Sequence, residues 1–249
     1  MADHFHEANR RRWDVGAACW ADRADTRGIW KKCHRDPSLA LHPAELKWLG
    51  DIAGKRVAVV GSGDNQVVFA LCGMGATVTS VDISEQQLTV ARGRAAALGL
   101  QVEFVRADVV DLSCLGDATF DVVYTGGHVA VWVSDLQRYY GEAARIVKPD
   151  GRLIVSEYHP FRRVWQRSPN SLDIEFNYFD RGPRRFEPQP MYCTTRPVNW
   201  GSLSFTGPSP TIFQQSLLPA VSLSTLRNSA IPARNGKVRR WPACQDRSC

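Results

Sequence analysis

Hydrophobic and polar positions fall into two rhythms along this chain, and the clearest strand rhythm begins after Lys55. Val57-Ala58-Val59-Val60 is a near-continuous apolar run, as expected of a strand buried on both faces of a parallel sheet. It feeds the turn Gly61-Ser62-Gly63-Asp64-Asn65, and Val67, Val68, Ala70 and Leu71 then follow a helical pattern. Repetition of this alternation predicts strands near 56–61, 77–82, 101–106, 120–125 and 151–157. Between them, Leu88, Ala91, Ala95 and Leu98 recur at helical spacing and stop at Gly99, a residue suited to a helix end. Leu136, Tyr139, Ala143 and Val147 do the same before Pro149-Asp150-Gly151, a strong turn signal. Ser84-Glu85-Gln86-Gln87 and Ser134-Asp135-Leu136-Gln137 both fit a capping box. Strand, helix and strand in repetition predict an α/β fold, a doubly wound, Rossmann-like sheet, mostly parallel, with helices on both faces.

The flanks read differently. Residues 1–45 form a helical lead-in rich in Arg and Trp, including Arg10, Arg11, Arg12, Trp13, Trp20, Arg27 and Trp30. Trp13, Arg27 and Trp30 are expected either as a lid over a cleft or as core packing. His4 and His6 are expected on a solvated N-terminal segment. Pro43 is placed to open a short helix through about Leu49. Residues 46–160 hold the regular α/β pattern, 161–200 read as a substrate-side insertion with one strand expected at Asp173–Phe179, and 201–249 read as an irregular tail. Pro208, Pro210 and Pro219 in that tail suit a loose, poorly ordered segment.

Composition narrows the function classes. A chain of 249 residues is long enough for one substantial α/β core. Its net charge of +6 is unevenly placed: 18 Lys and Arg stand against 20 Asp and Glu through residue 160, and 13 against 5 beyond it. The patterned part is thus mildly acidic, which argues against nucleic acid as a partner. No apolar run reaches membrane-spanning length, and the opening Met1-Ala2-Asp3-His4 lacks a secretory pattern. Seven scattered cysteines without a Cys-x-x-Cys pair point to reduced thiols in a cytoplasm, with neither a disulfide framework nor a metal site.

In a doubly wound sheet, ligands bind at the carboxyl ends of the strands, where strand order reverses. Three features of this chain fall there: the Gly61/Gly63 turn after the first strand, Asp82 at the end of the second, and Asp108 after the third. Glycines at a helix start let backbone N–H groups approach a ligand. A carboxylate at the second strand's end can accept both hydroxyls of a ribose, and one after the third can accept from an adenine amine. Simpler readings are a tight turn for the glycines, a helix cap for Asp82 and an ordinary loop residue for Asp108. Glu157, Tyr158 and His159 end the fifth strand, facing either the cleft or the sheet edge.

This order of segments resembles a class I S-adenosylmethionine-dependent methyltransferase, in particular the small-molecule enzymes of the ubiquinone-methyltransferase-like group. The resemblance covers about Leu46 to Pro160. It is carried by Val57–Asn65, Val78-Thr79-Ser80-Val81-Asp82-Ile83-Ser84, Val102–Asp108, Phe120–Gly127 and Val147-Lys148-Pro149-Asp150-Gly151-Arg152-Leu153. It implies methyl transfer from S-adenosyl-L-methionine to a small-molecule oxygen, nitrogen or carbon nucleophile. Carried over residue by residue, Gly61, Ser62 and Gly63 approach the methionine part, Asp82 binds the ribose, and Ile83 packs on the adenine. Asp108 and Val109 hold the adenine edge, and Thr125 sits beside the sulfonium. His128 and His159 are the candidate bases, since histidine titrates near neutral pH.

Two positions depart from the family pattern: Val59 stands where an acidic residue is usual, and Asn65 replaces a third glycine. Asp64 is a candidate to supply the lost carboxylate. The alternatives are an NAD(P)-dependent dehydrogenase, whose Gly-x-Gly-x-x-Gly fingerprint is broken here at Gln66, and a catalytically inert protein of the same fold. Enzymes of this architecture end in an antiparallel hairpin, for which residues 201–249 offer no convincing pair. If Phe205–Phe213 is encoded with ordinary codons, a shifted reading frame can spell His-Trp-Thr-Val-Ala-Asp-Tyr-Leu, which looks like the helix-opening segment such methyltransferases carry before their last strands. The tail is therefore expected to be frameshift-derived. Sequencing the gene tests this: the shifted frame should run on with a patterned sequence, and stop codons within it would refute the idea.

Overall fold

The computed structural model describes residues 4–63, 65–126, 129–157, 159, 164, 173–174 and 177–179, together with the backbone of four short strands between 183 and 205. Five parallel strands make the central sheet: β1 (Arg56–Val60), β2 (Thr77–Asp82), β3 (Val102–Arg106), β4 (Phe120–Gly126) and β5 (Val147–Ser156), in the order β3-β2-β1-β4-β5. Each of the four crossovers carries chain from one sheet edge back to the other end of the next strand, as parallel pairing requires. Order reverses between β1 and β4, so both strands open their carboxyl ends onto a crevice.

Parity along the strands sorts the core into two layers. Val57 and Val59 of β1 join Val122 and Tyr124 of β4 on the face covered by α2 (Pro43–Leu49) and α3 (Gln66–Gly73). Ala58, Val60 and Val123 face α5 (Leu136–Ile146), where they meet the fully buried Tyr139, Ala143 and Ile146. Both faces of β1 and β4 are therefore apolar, which is why the sequence shows an unbroken Val run there instead of alternation.

Helix ends follow local chemistry. Proline opens α2, and the His42 side chain caps it while Glu45 Oε2 accepts from His42 N at 2.6 Å, completing a capping box. Ser84 Oγ accepts from Gln87 N at 3.2 Å to start α4 (Glu85–Leu98), which stops at the left-handed Gly99. At α5 the cap lies one residue later than the spacing suggests. Asp135, not Ser134, accepts from Arg138 N at 2.9 Å, because Ser134 is engaged elsewhere, as shown below. The expected Pro149-Asp150-Gly151 turn appears as an irregularity within β5: Phe120 pairs with Val147, and Val122 with Arg152.

The lead-in is one long helix, α1 (His4–Arg27). Trp30, just beyond it, is buried and donates to Asp25 Oδ1 at 2.6 Å; it belongs to the core beside Phe69 and not to a lid. Of the strand expected at Asp173–Phe179, Tyr178 and Phe179 lie in a turn instead, with Phe179 N donating to Asn177 Oδ1 at 2.9 Å, and residues 175–176 lie outside the described residues. Ser202–Phe205 (β9) pairs antiparallel with β6 (Pro183–Phe186). Met191–Tyr192 (β7) and Pro197–Val198 (β8) form a second small pair. Residues 206–249 lie outside the described residues.

The tightest backbone approach is at Gly73, the last residue of α3, where a Cβ would stand 1.8 Å from the carbonyl oxygen of His34. Replacing Gly73 with Ala should lower stability by about 1–3 kcal/mol through overpacking. A thermal melt checks this, with Tm expected to fall by roughly 2–10 °C.

Candidate functional site

A cavity of about 510 Å³ lies at the carboxyl ends of the strands, between the sheet and α1. Its floor begins at Gly61, which has φ +73° and whose Cβ, if present, would stand 2.5 Å from Val129 Cγ2. Both facts select glycine. Two residues on, Gly63 N donates to Asp82 Oδ2 at 3.0 Å, and Ser84 N donates to Asp82 Oδ1 at 2.9 Å. One carboxylate thus joins the glycine turn to the start of α4. Asn65 holds a left-handed conformation (φ +66°) as the cap of α3, and its Nδ2 donates to Gly63 O at 2.7 Å. An asparagine tolerates this conformation better than most residues, so the position can forgo glycine.

Asp82 is only 7% exposed. Burial pushes its carboxyl above the usual range, and the Ser84 and Gly63 amides pull in the other direction. A raised folded value means that Asp82 adds stability at acid pH and that this contribution is lost as pH rises through it. Ligand groups that donate to its oxygens oppose the burial effect.

α1 roofs this cavity with a stripe at helical spacing. His6, Asn9, Trp13, Trp20, Ala24 and Arg27 all face it, and three, four or seven residues separate neighbours in that series. His6 is buried and places Nδ1 2.7 Å from Asp108 Oδ2. Its Nε2 accepts from Ser134 N at 3.0 Å, so Nδ1 carries the proton and donates to the carboxylate. Ser134 Oγ lies 3.2 Å from the same Nε2. Because the Ser134 amide already occupies that lone pair, the imidazole is a tether and not a base for the hydroxyl. Asn9 Nδ2 donates to Trp132 O at 3.1 Å, and Asp14 Oδ1 accepts from Ser84 Oγ at 2.7 Å. Trp13 meets Trp132 edge-on, with centroids 5.3 Å apart.

Residues 58–155 match a family model described as a methyltransferase domain. A ubiquinone biosynthesis O-methyltransferase of Klebsiella pneumoniae is 29% identical over 169 residues, 66% of each chain. Its counterpart in Thiobacillus denitrificans is 33% identical over 123 residues, 48% of this chain and 53% of that one. A solved structure from Listeria monocytogenes, described as an S-adenosylmethionine-dependent methyltransferase, overlays with a TM-score of 0.50, covering 70% of this chain and 76% of that one. The matched segment, from β1 through most of β5, is similar to a methyltransferase domain. At 19% identity the Listeria structure speaks for the fold alone, and the chain spans about 53–66% of the length of the two curated relatives.

Seven of the expected cofactor residues surround one cavity: Gly61, Ser62, Gly63, Asp82, Ile83, Asp108 and Val109. Thr125 does not. It is fully buried, with Oγ1 3.5 Å from Ile154 O, and its parity sends it away from the cavity. Tyr124 takes the cavity wall instead. His159 is exposed and stacks on Tyr178, and it is not part of the cavity wall. His128, Asp64 and Tyr158 lie outside the described residues. Glu157 accepts from Ala130 N at 3.2 Å and so supports the short turn Ala130–Trp132.

His6 corrects the expectation of a solvated N-terminus; the spacing of His6, Asn9, Trp13, Trp20 and Arg27 on one helical face was the signal available. Replacing His6 with Ala should untie the start of α1. Hydrogen exchange by mass spectrometry should then show residues 4–12 exchanging roughly tenfold faster or more, from two lost hydrogen bonds, while β1 and β2 keep their protection.

Proposed function

We propose that this chain transfers a methyl group from S-adenosyl-L-methionine to a small-molecule acceptor. The observation that carries the reading is the convergence of Asp82 and Asp108 with the Gly61–Gly63 turn on one roofed cavity. The donor supplies an electrophilic methyl carbon on a positively charged sulfur. Chemistry of that kind asks the protein mainly for orientation and electrostatics.

Each part of the site has a role that its geometry allows. Asp82 keeps unused lone pairs after accepting the Gly63 and Ser84 amides, and these can receive a pair of ribose hydroxyls. Ile83 and Val109 offer apolar surface to a flat base. Asp108 offers its carboxylate at the adenine end, already oriented by His6. Arg23 and Arg27 of α1 line the same cavity and are suited to pair with a ligand carboxylate.

The acceptor reading has its own support. α1 roofs the cavity and leaves a space suited to small ligands and not to a polymer. The curated relatives are ubiquinone biosynthesis O-methyltransferases, so a phenolic or other oxygen nucleophile is the first acceptor class to try. Untargeted profiling of metabolites with an isotope-labelled methyl donor tests it directly.

Donor binding can be tested before the acceptor is known. Replacing Asp82 with Ala should weaken donor affinity roughly 10- to 150-fold, the equivalent of about 1.5–3 kcal/mol for hydrogen bonds to a charged group. A change within twofold in calorimetric titration would overturn the ribose assignment. Donor affinity should also fall as pH drops through the raised Asp82 pKa, because protonation removes acceptor capacity. Asp82→Asn should flatten that dependence.

A further inference from the structure

Glu45 is a buried carboxylate, 7% exposed, that the site described above does not use. Its two oxygens accept from His42 N and from the Tyr124 hydroxyl, each at 2.6 Å. No Lys or Arg is bonded to it among the described residues. A carboxylate taken out of water without a positive partner is costly, and charge of the opposite sign nearby relieves that cost. Tyr124, its phenolic partner, is a wall of the cofactor cavity. In the sheet it pairs with Val59, which is also part of that wall and lies two residues before the Gly61 turn.

We propose that Glu45 and Tyr124 are a positioning pair that favours the cationic sulfonium donor over its neutral sulfide product. The inference rests on the methyl-transfer reading. Tyr124 lines the cavity, and an aromatic ring attracts cations. Its hydroxyl is held by Glu45, so the ring is fixed in place and backed by a full negative charge in a poorly hydrated layer. Within that layer a charge is felt over several ångströms. When the methyl group leaves, the sulfur loses its positive charge and the pair loses its hold. Product is then bound less favourably than donor by this element of the site.

Glu45→Gln isolates the charge. Glutamine serves at the third position of a capping box, its oxygen accepting from His42 N while its NH2 donates to the Tyr124 hydroxyl oxygen, so the fold is preserved. Calorimetric titration of the full chain with S-adenosylmethionine and, separately, with S-adenosylhomocysteine is the measurement. In Glu45→Gln the Kd for the sulfonium should rise roughly five- to tenfold, with the Kd for the sulfide changing less than twofold. Tyr124→Phe removes the phenol that joins ring and carboxylate and should lower the preference for the sulfonium in the same direction. Equal changes for both ligands in Glu45→Gln, or no change for either, would overturn the proposal, as would a Tyr124→Phe variant that keeps the wild-type ratio of the two affinities. If neither ligand binds the wild-type chain, it is the methyl-transfer reading that fails.

Discussion

The Asp82 carboxylate takes the Gly63 amide on one oxygen and the Ser84 amide on the other, and the arrangement of the cavity depends on that double acceptance. Removing a carboxylate from water is unfavourable, and two backbone donors offset it because bonds to a charged acceptor are stronger than neutral ones. The result fixes two segments relative to each other: the turn leaving β1 and the start of α4. The ligand-facing surface is thus assembled before a ligand arrives, which lowers the ordering cost of binding.

The roof is held in another way. α1 has apolar contacts at Ala17, Cys19 and Ala24, but its position over the cavity is set by polar and aromatic ties along its length. His6 reaches Asp108 and Ser134, Asn9 reaches the Trp132 carbonyl, and Asp14 reaches Ser84. Farther along, Arg94 of α4 donates to both Ala21 O and Asp25 Oδ1 at 3.0 Å. These partners include Asp108 and Ser84, which also border the ligand site. Docking of α1 and shaping of the site are therefore coupled through shared groups. β9 runs beside α1 and the Ala130–Trp132 turn.

What was legible in the sequence was whatever local chemistry decides. The unbroken Val57–Val60 run, proline at the start of α2, glycine after α4 and asparagine at the left-handed position of the turn each follow from one residue's own preferences. The carboxylates at strand exits were legible because topology places all exits on one edge. What stayed hidden depended on distant partners. His6 and Asp108 are 102 positions apart, and a histidine near a terminus carries no local sign of burial. Ser134 turns its amide and hydroxyl toward His6, and the cap of α5 falls to Asp135. Thr125 and Tyr124 could not be ranked from pattern alone, since a strand covered on both faces shows no alternation to set its parity.

That parity also accounts for the departure at Val59. Val59 and Tyr124 are register partners on one face of the sheet, and Glu45 reaches that face from α2 to bond the Tyr124 hydroxyl. Val59 is 3% exposed and packed in the same apolar cluster as Tyr124. An acidic side chain at residue 59 would bring a second carboxylate into a layer that already contains one. Two like charges in such surroundings repel, and one would be forced to take up a proton. Valine at 59 and glutamate at 45 are thus mutually consistent choices. The negative charge has been moved from the strand to the helix behind it, where a backbone amide and a phenol can satisfy it while Tyr124 carries its influence to the cavity wall.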